Sequence, residues 1–511
     1  MDILIFYGLI FLLSLILILW TFDGRSKLAS GIIASTSVFI TRFLPSVSQY
    51  RKPWHDSYFY STAFESIIRN NKAVAPQVQT WYPGVEHLLN YPAMHYVTAT
   101  IAEVTGITDP TLLRAVTPAL FSVATLALLV GIASKLFGTH YGIVVGYTIS
   151  QLDTFISYQT QYHAQGFALA LFSLIVFITI HIIQTRDRKR GMILYAVVVF
   201  SFAISHRFST LAILGVLPLL VAGTLVYRMI GRTRSKTSRS FNYLTYILLT
   251  LLALLSVHTL VHVGVVNMVL TRATLLVRGA ELGFYSGPST FTTQTPTVLD
   301  YLSSVIKAVL GILALPTIVY SFVTDCDDTT RFLVTLLGAV GLLGIITAVV
   351  DYDMLVRLIL FSYIPLALLA FWTVHERFSS NHAQKLTVVL SVALVMMSVM
   401  TATVPSLVDP SSDVRADGFS DVTPMTMEQE KTGGQWLQKY AVSDKAAVTL
   451  TTRMGVLYYG NLKISDVRFI HRASNQDYYV VDSERRSLPL LPQVYTNGRT
   501  SVKCNMTVLS S

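Results

Sequence analysis

Runs of about twenty apolar residues recur along this chain, and they constrain its fold more than any other feature. A helix of that length crosses a hydrocarbon layer of about 30 Å, and only 13% of the 511 residues are charged. Spans are predicted at residues 3–22, 28–44, 112–134, 141–157, 166–184, 191–205, 209–228, 241–262, 299–322, 331–350, 355–374 and 386–404. The pattern therefore predicts a polytopic α-helical membrane protein with about 12 transmembrane helices.

Short basic clusters between the apolar runs set the expected orientation of the spans. If Arg25 and Lys27 are cytoplasmic, the basic segments 186–190, 231–239 and 377–385 fall on the cytoplasmic side too, as the positive-inside rule requires. This agreement holds only if residues 91–107 do not cross, so an interfacial or re-entrant helix is predicted there. The net charge of +10 comes mostly from such clusters, and it therefore does not indicate a nucleic-acid partner.

Three segments are expected on the extracytoplasmic side of the cell membrane: the loops 45–111 and 263–298, and the tail after residue 404. The tail loses the apolar character of the spans, and Asn497-Gly498 between alternating residues predicts a β-hairpin. The chain is therefore divided into a transmembrane domain, residues 1–404, and a small extracytoplasmic α/β domain, residues 405–511.

Ionisable and aromatic residues gather at the expected outer ends of the spans. The stretch "WHDSYFY" places the carboxylate of Asp56 at the water boundary. Its companions on that side are His55, Glu86, His95, Tyr162, His163, His206, Arg207, Asp351, Asp353 and Arg357. Polar groups collected on one face suit an active site at a membrane surface. A carboxylate can take a proton from an attacking hydroxyl, and Arg or His can stabilise a departing phosphate, which suits sugar transfer from a lipid phosphate.

Each of these residues also has a simpler explanation. Aromatic residues and a solvated aspartate are ordinary at the membrane interface, and His163 and His206 are equally well explained as histidines that bridge helices. The acidic pair in "DYD", residues 351–353, is either a metal-binding pair or a polar turn between two spans. Arg357 is either a phosphate ligand or a side chain that snorkels outward. Only their occurrence together favours the functional interpretation.

The order of these features resembles the GT-C superfamily of membrane glycosyltransferases, especially archaeal members that use polyprenyl-phosphate sugars. "HDSYFYSTAFESIIRN" opens the first large external loop, and "YPAMHYVTATIAEVTGI" looks like the Tyr-Pro-containing loop helix that follows. "TLLRAVTPALFSVATLALLVGIASKLFG" is similar to the next span, and "GGQWLQKY" to the start of the external C-terminal domain. The resemblance covers most of the chain.

The resemblance implies that Asp56 is the catalytic base or helps to bind a metal. If a divalent cation such as Mg²⁺ or Mn²⁺ is used, the acidic pair Asp351 and Asp353 supplies further candidate ligands by its own pattern. The chain departs from the family where Ser57, and not a second acid, follows Asp56, so a partner carboxylate would come from Glu65, Glu86 or elsewhere. The Trp-Trp-Asp motif of oligosaccharyltransferases is also missing around Trp436. Single-sugar transfer is therefore preferred to transfer of a whole glycan to asparagine.

These considerations predict an inverting glycosyltransferase. It would transfer a sugar from a polyprenyl (dolichyl) phosphate donor to a lipid-linked glycan or protein acceptor. One alternative is a transporter or flippase for lipid-linked glycans, and another is a membrane-anchored scaffold whose tail binds a partner. A carrier should show ionisable groups near mid-span and helix breaks paired between two halves, whereas the prolines at 218, 316 and 365 show no such pairing.

Overall fold

The structure is a computed structural model of the whole chain. It describes residues 3–23, 26–47, 63–65, 67–68, 93–160, 162–185, 188–205, 207–230, 298–324, 326–350, 352–378, 380–403, 435–437, 439, 446–448, 467–469, 478–482, 493–496 and 500–504. The helices are α1 (Ile3–Phe22), α2 (Lys27–Val47), α3 (Ala93–Thr105), α4 (Pro110–Phe137), α5 (Thr139–Ser150), α6 (Asp153–Gln159), α7 (Ala164–Gln184), α8 (Arg188–Ala203), α9 (Arg207–Ile230), α10 (Val298–Val323), α11 (Asp328–Val350), α12 (Tyr352–Arg377) and α13 (Ser380–Thr403).

Long apolar helices dominate the described part of the chain. Six of them are long and apolar enough to cross a membrane: Lys27–Val47, Pro110–Phe137, Ala164–Gln184, Leu302–Val323, Asp328–Ile345 and Ser380–Thr401. Shorter apolar stretches lie in α1, α8 and α9. The chain is thus a polytopic helical membrane protein. The predicted span at 241–262 lies outside the described residues, and the number of twelve spans stays a prediction.

Two segments near the predicted site are shorter than a membrane span. Helix α3 has 13 residues, about 20 Å in length, which agrees with the prediction that residues 91–107 do not cross. The predicted span at 141–157 is not a single helix: α5 ends at Ser150, and the seven-residue α6 begins at Asp153. Apolar length alone could not reveal this break, because the residues on both sides of it are largely apolar.

Hydrogen bonds between helix ends identify one face of the bundle. Ser46 Oγ, at the end of α2, donates to the Thr160 carbonyl just after α6 over 2.7 Å. The Ala93 amide at the start of α3 donates to the Ile204 carbonyl after α8 over 3.3 Å. The ends of α2, α6 and α8 and the start of α3 therefore share a face, called the site face below.

The opposite ends form a second face, called the basic face below. His140 Nδ1 lies 2.9 Å from the Thr21 carbonyl, which joins the start of α5 to the end of α1. The Tyr141 hydroxyl donates to the Ser380 carbonyl over 3.4 Å, and Gln184 Nε2 donates to Thr329 Oγ1 over 3.5 Å. The described residues of the basic segments 186–190 and 377–385 lie at these helix ends, so these two clusters share a face, whereas the third predicted cluster, 231–239, lies outside the described residues.

Close backbone packing joins α4 and α5 into a tight hairpin. Gly138 turns the chain between them with φ of 81°, a conformation that favours glycine. A Cβ atom at Gly142 would lie 2.5 Å from Ser134 Cα, and one at Gly146 would lie 2.5 Å from the Val130 amide nitrogen. Small residues allow such close approach between membrane helices, where dispersion forces replace the hydrophobic effect.

The tail contains a mixed five-stranded sheet. Its strands are β1 (Ala446–Val448), β2 (Val467–Phe469), β3 (Tyr478–Asp482), β4 (Gln493–Thr496) and β5 (Thr500–Cys504), in the order β2-β1-β3-β5-β4. Strand β1 runs parallel to β2 and β3, whereas β3, β5 and β4 are antiparallel neighbours. Strands β4 and β5 flank Asn497-Gly498, so the predicted hairpin is confirmed. The extracytoplasmic placement of this sheet remains a prediction.

Candidate functional site

The predicted site residues divide into three groups by what the structure describes. Asp56, His55, Glu86, His206 and Asp351 lie outside the described residues. Arg207 is the first residue of α9, and Asp353 and Arg357 lie in the first two turns of α12. Helix α12 ends at the basic face, where the ring centroids of His375 and Tyr141 are 5.0 Å apart. Helix α9 also runs towards that face, because it is antiparallel to α11: Gly215 lies against Leu343 and Gly223 against Thr335. These three residues therefore belong to the site-face half of the bundle. The remaining predicted residues, His95, Tyr162 and His163, are described in full.

His95 on α3 and Tyr162 just before α7 are both buried side chains. His95 is 3% exposed and Tyr162 is 1% exposed. The Tyr162 hydroxyl shares a 2.9 Å hydrogen bond with Thr98 Oγ1, and its ring meets that of Phe64 edge-on with centroids 5.3 Å apart. Burial raises the pKa of Tyr162 and lowers the pKa of His95 to about 4. Both side chains are consequently neutral at pH 7, so any contribution of His95 to binding comes from a neutral imidazole.

His163 caps helix α7. Its backbone is extended, with φ of −140° and ψ of 136°, and its Nδ1 atom accepts a hydrogen bond of 3.1 Å from the Gln165 amide. An accepting Nδ1 carries no proton, so the proton of the neutral ring is on Nε2. The cap satisfies one of the amides that every helix start leaves without an intrahelical partner. His163 thus has a structural function, whether or not Nε2 also faces a substrate.

A crevice lies where α3, α4, α6 and α7 meet near the site face. It is lined by Met94, Pro118, Phe121, Gln159, Tyr162, His163 and Gly166 and has no room for a water molecule. Gln159 Nε2 donates to Thr125 Oγ1 over 2.8 Å and ties α6 to α4. A Cβ atom at Gly166 would lie 2.7 Å from the Tyr158 carbonyl. The crevice is therefore a packed junction that fixes Tyr162 and His163.

Asp153 is a buried carboxylate that the sequence interpretation missed. It is 7% exposed at the start of α6 and accepts hydrogen bonds from Ser303 Oγ on α10 and from the amide and hydroxyl of Thr154. These donors satisfy both carboxylate oxygens inside the bundle. The available signal was an acidic residue in the middle of an apolar run, which costs too much free energy to be kept in lipid without a partner.

Arg42 on α2 is a second missed residue, and its side chain is fully buried. Its guanidinium donates to Thr41 Oγ1 over 2.6 Å, to Gln151 Oε1 and to the Ser150 carbonyl. It was overlooked because the span at 28–44 was identified by its mean apolar character. A cation inside a predicted span was again the signal, since such residues are rare and face the bundle interior.

The described residues contain no group of three His, Cys, Asp or Glu side chains that could hold a metal ion. Two of the candidate ligands, Asp56 and Asp351, are among the residues that are not described, and Asp353 is described only as part of a helix. Both carboxylate oxygens of the buried Asp153 already accept hydrogen bonds, from Thr154 and from Ser303. The divalent cation therefore remains a prediction.

Comparison with known proteins supports the fold. No protein-family model matches the chain, and no curated protein matches it by sequence. Among solved structures, it is similar to ArnT from Cupriavidus metallidurans bound to undecaprenyl phosphate, with a TM-score of 0.55, 11% identity, and coverage of 94% of this chain and 98% of that chain.

A second structural neighbour is the archaeal oligosaccharyltransferase AglB from Archaeoglobus fulgidus in complex with an inhibitory peptide and a dolichol-phosphate. The TM-score is 0.55 at 11% identity, and the similarity covers 90% of this chain and 70% of that chain. Both neighbours are GT-C superfamily membrane glycosyltransferases. The resemblance to this superfamily is thus confirmed at the level of the fold.

Proposed function

We propose that this chain is a membrane glycosyltransferase that transfers one sugar from a polyprenyl (dolichyl) phosphate donor to a lipid-linked glycan or protein acceptor. The supporting observation is the fold similarity across nearly the whole chain to two membrane proteins, one holding undecaprenyl phosphate and the other a dolichol-phosphate. Their common ligand chemistry is a phosphate on a long isoprenoid tail, which suits the basic residues at the starts of α9 and α12.

The proposed reaction is a single displacement with inversion at the anomeric carbon. Asp56 takes the proton of the acceptor hydroxyl as its oxygen attacks the anomeric carbon of the donor. The bond from that carbon to the phosphate oxygen breaks, and the phosphate departs as a stable anion that needs no proton. Arg207 and Arg357 hold the phosphate, because a guanidinium matches two of its oxygens. Both lie at or near a helix N-terminus, whose dipole also favours an anion.

The remaining predicted residues would shape the site. His55, Glu86, His95 and His206 would bind the sugar or acceptor, whereas Tyr162 and His163 line the packed junction between α3 and α7. The basic face would be cytoplasmic by the positive-inside rule, which places the site face and the transfer reaction outside. If a divalent cation takes part, it would add positive charge near the departing phosphate, with Asp56, Asp351 and Asp353 as its candidate ligands.

The proposal is tested by Asp56→Asn in membranes supplied with a labelled polyprenyl-phosphate sugar. Loss of a general base should lower transfer about 10²- to 10⁴-fold. Glu103→Gln is a matched control, because Glu103 is an exposed acid on α3 near the same face. Full transfer activity in a correctly inserted Asp56→Asn protein would remove Asp56 from the mechanism. Movement of the labelled lipid across reconstituted vesicles without any sugar transfer would favour the flippase.

A further inference from the structure

Helix α2 carries a buried cation whose described hydrogen-bond partners are all neutral. The Arg42 guanidinium binds Thr41 Oγ1, Gln151 Oε1 and the Ser150 carbonyl. A cation inside a predicted span is costly unless polar groups replace its hydration. The arrangement of these partners explains how the cation is tolerated.

The compensation comes from the end of helix α5. Ser150 is the last residue of α5, and the carbonyls of a last helical turn lack intrahelical donors and form the negative pole of the helix dipole. Such carbonyls must find partners inside a membrane. The guanidinium supplies donors and a positive charge at this point, so Arg42 acts as the C-cap of a helix that ends within the bundle.

Helix α2 also contacts the C-terminal end of α6. Ser46 is one turn further along α2, and its Oγ contacts the Thr160 carbonyl immediately after α6. Helix α2 therefore contacts the chain just before α6, through Arg42, and just after it, through Ser46. These two contacts are called the α2 ties below. The short helix between these two ties carries Asp153, which is bonded to α10, and Gln159, which lines the crevice beside Tyr162 and His163.

We infer that Arg42 is a positioning residue for the transferase. It fixes the break between α5 and α6, and it thereby holds α6 and the start of α7 in register with α2, the helix that leads into the loop containing Asp56. The inference rests on the proposed function. Small displacements of an active-site wall are expected to lower kcat, since misplacement by about 1 Å can cost about 10²-fold.

The first test compares wild type with Arg42→Met and Arg42→Lys, with kcat and donor KM measured per folded molecule. Arg42→Met should lower kcat at least about 10-fold with donor KM changed less than about 3-fold, because Arg42 is fully buried and its guanidinium binds protein groups. Lysine keeps the charge but lacks the guanidinium, whose two terminal nitrogens donate to Gln151 and Ser150 at the same time. Arg42→Lys should therefore restore activity only in part. Wild-type kcat in folded Arg42→Met would overturn the inference.

A milder pair of variants covers the case in which Arg42→Met does not fold. Ser46→Ala removes only the second tie, and Ser30→Ala is its matched control because Ser30 is a buried serine on the same helix whose hydroxyl has no partner among the described residues. We expect kcat to fall for Ser46→Ala and to stay at the wild-type value for Ser30→Ala. Equal kcat values in the two variants would contradict a role for the α2 ties.

Hydrogen exchange of the α6 amides separates this inference from the proposed function. Exchange at Asp153–Gln159 should accelerate in Arg42→Met and Ser46→Ala, and it should be unchanged in Ser30→Ala. If the wild-type protein transfers no sugar, the proposed function fails, and the exchange rates alone decide whether Arg42 fixes α6. Unchanged exchange in both Arg42→Met and Ser46→Ala would contradict the inference even if the enzyme is active.

Discussion

Burial determines the charge state of His95. The side chain is buried on α3, and removal from water lowers its pKa from the usual 6.5 to about 4. The unfolded chain therefore binds a proton between these two pH values that the folded chain does not bind. The free energy of unfolding is unaffected by this group above about pH 6.5 and falls as the pH drops towards 4.

We expect His95 to make the folded protein acid-sensitive. Lowering the pH from 8 to 5 should reduce the free energy of unfolding by roughly 2 kcal/mol through this imidazole. Unfolding in detergent, followed at both pH values, should show a smaller loss in His95→Gln than in wild type. Equal acid sensitivity in the two proteins would mean that His95 is not the group that titrates.

His163 combines a structural function with a predicted ligand function, and substitution can separate them. Asparagine can also cap a helix, so His163→Asn should retain stability, whereas His163→Ala should lose about 1 kcal/mol of unfolding free energy. If His163 Nε2 also contacts the substrate, transfer should fall in both variants. Wild-type transfer in stable His163→Asn would show that the cap is its whole contribution.

The α4–α5 hairpin depends on two glycines that bring the helix backbones together. Gly146→Ala would place a Cβ atom 2.5 Å from the Val130 backbone nitrogen, and the resulting separation of the helices should cost about 1–3 kcal/mol. Gly311→Ala is the control, because nothing lies within 4 Å of the added atom and alanine is the better helix former by up to about 1 kcal/mol. Thermal unfolding should therefore shift in opposite directions. A stable Gly146→Ala protein would contradict the close packing.

The elements show where sequence reasoning succeeded and where it could not. Apolar length located the helices of the bundle, because crossing lipid requires that length whatever the packing. It missed the break after Ser150, since a helix may end inside a membrane when a distant residue such as Arg42 satisfies its carbonyls. The placement of ionisable and aromatic residues predicted that His95, Tyr162 and His163 share a face. It could not show that they are buried, because burial depends on neighbours such as Phe64 and Thr98 that are remote in sequence.

At the scale of the molecule, the proposed orientation is testable from the two faces. In a protein with Cys326 and Cys504 replaced by serine, Glu103→Cys on α3 and Glu376→Cys at the end of α12 introduce thiols at exposed acids. An impermeant maleimide added to intact cells should label position 103 and not position 376. Labelling of both positions, or of 376 alone, would contradict an extracytoplasmic site face.

The proposed cation is testable on the whole enzyme. If a divalent ion supports transfer, EDTA should abolish activity and Mg²⁺ or Mn²⁺ should restore it. Unchanged transfer after thorough chelation would exclude this requirement and leave the arginines as the positive charge at the phosphate.

The glycine-lined contact between α4 and α5 limits where an isoprenoid chain could enter the helix bundle. Backbones that approach within the distance of a single methyl group leave no gap for an isoprenoid chain. The lipid-linked donor of the proposed transferase would therefore reach the site by another route, because the α4–α5 seam is closed and α5 is buried from Gly142 to Ser150.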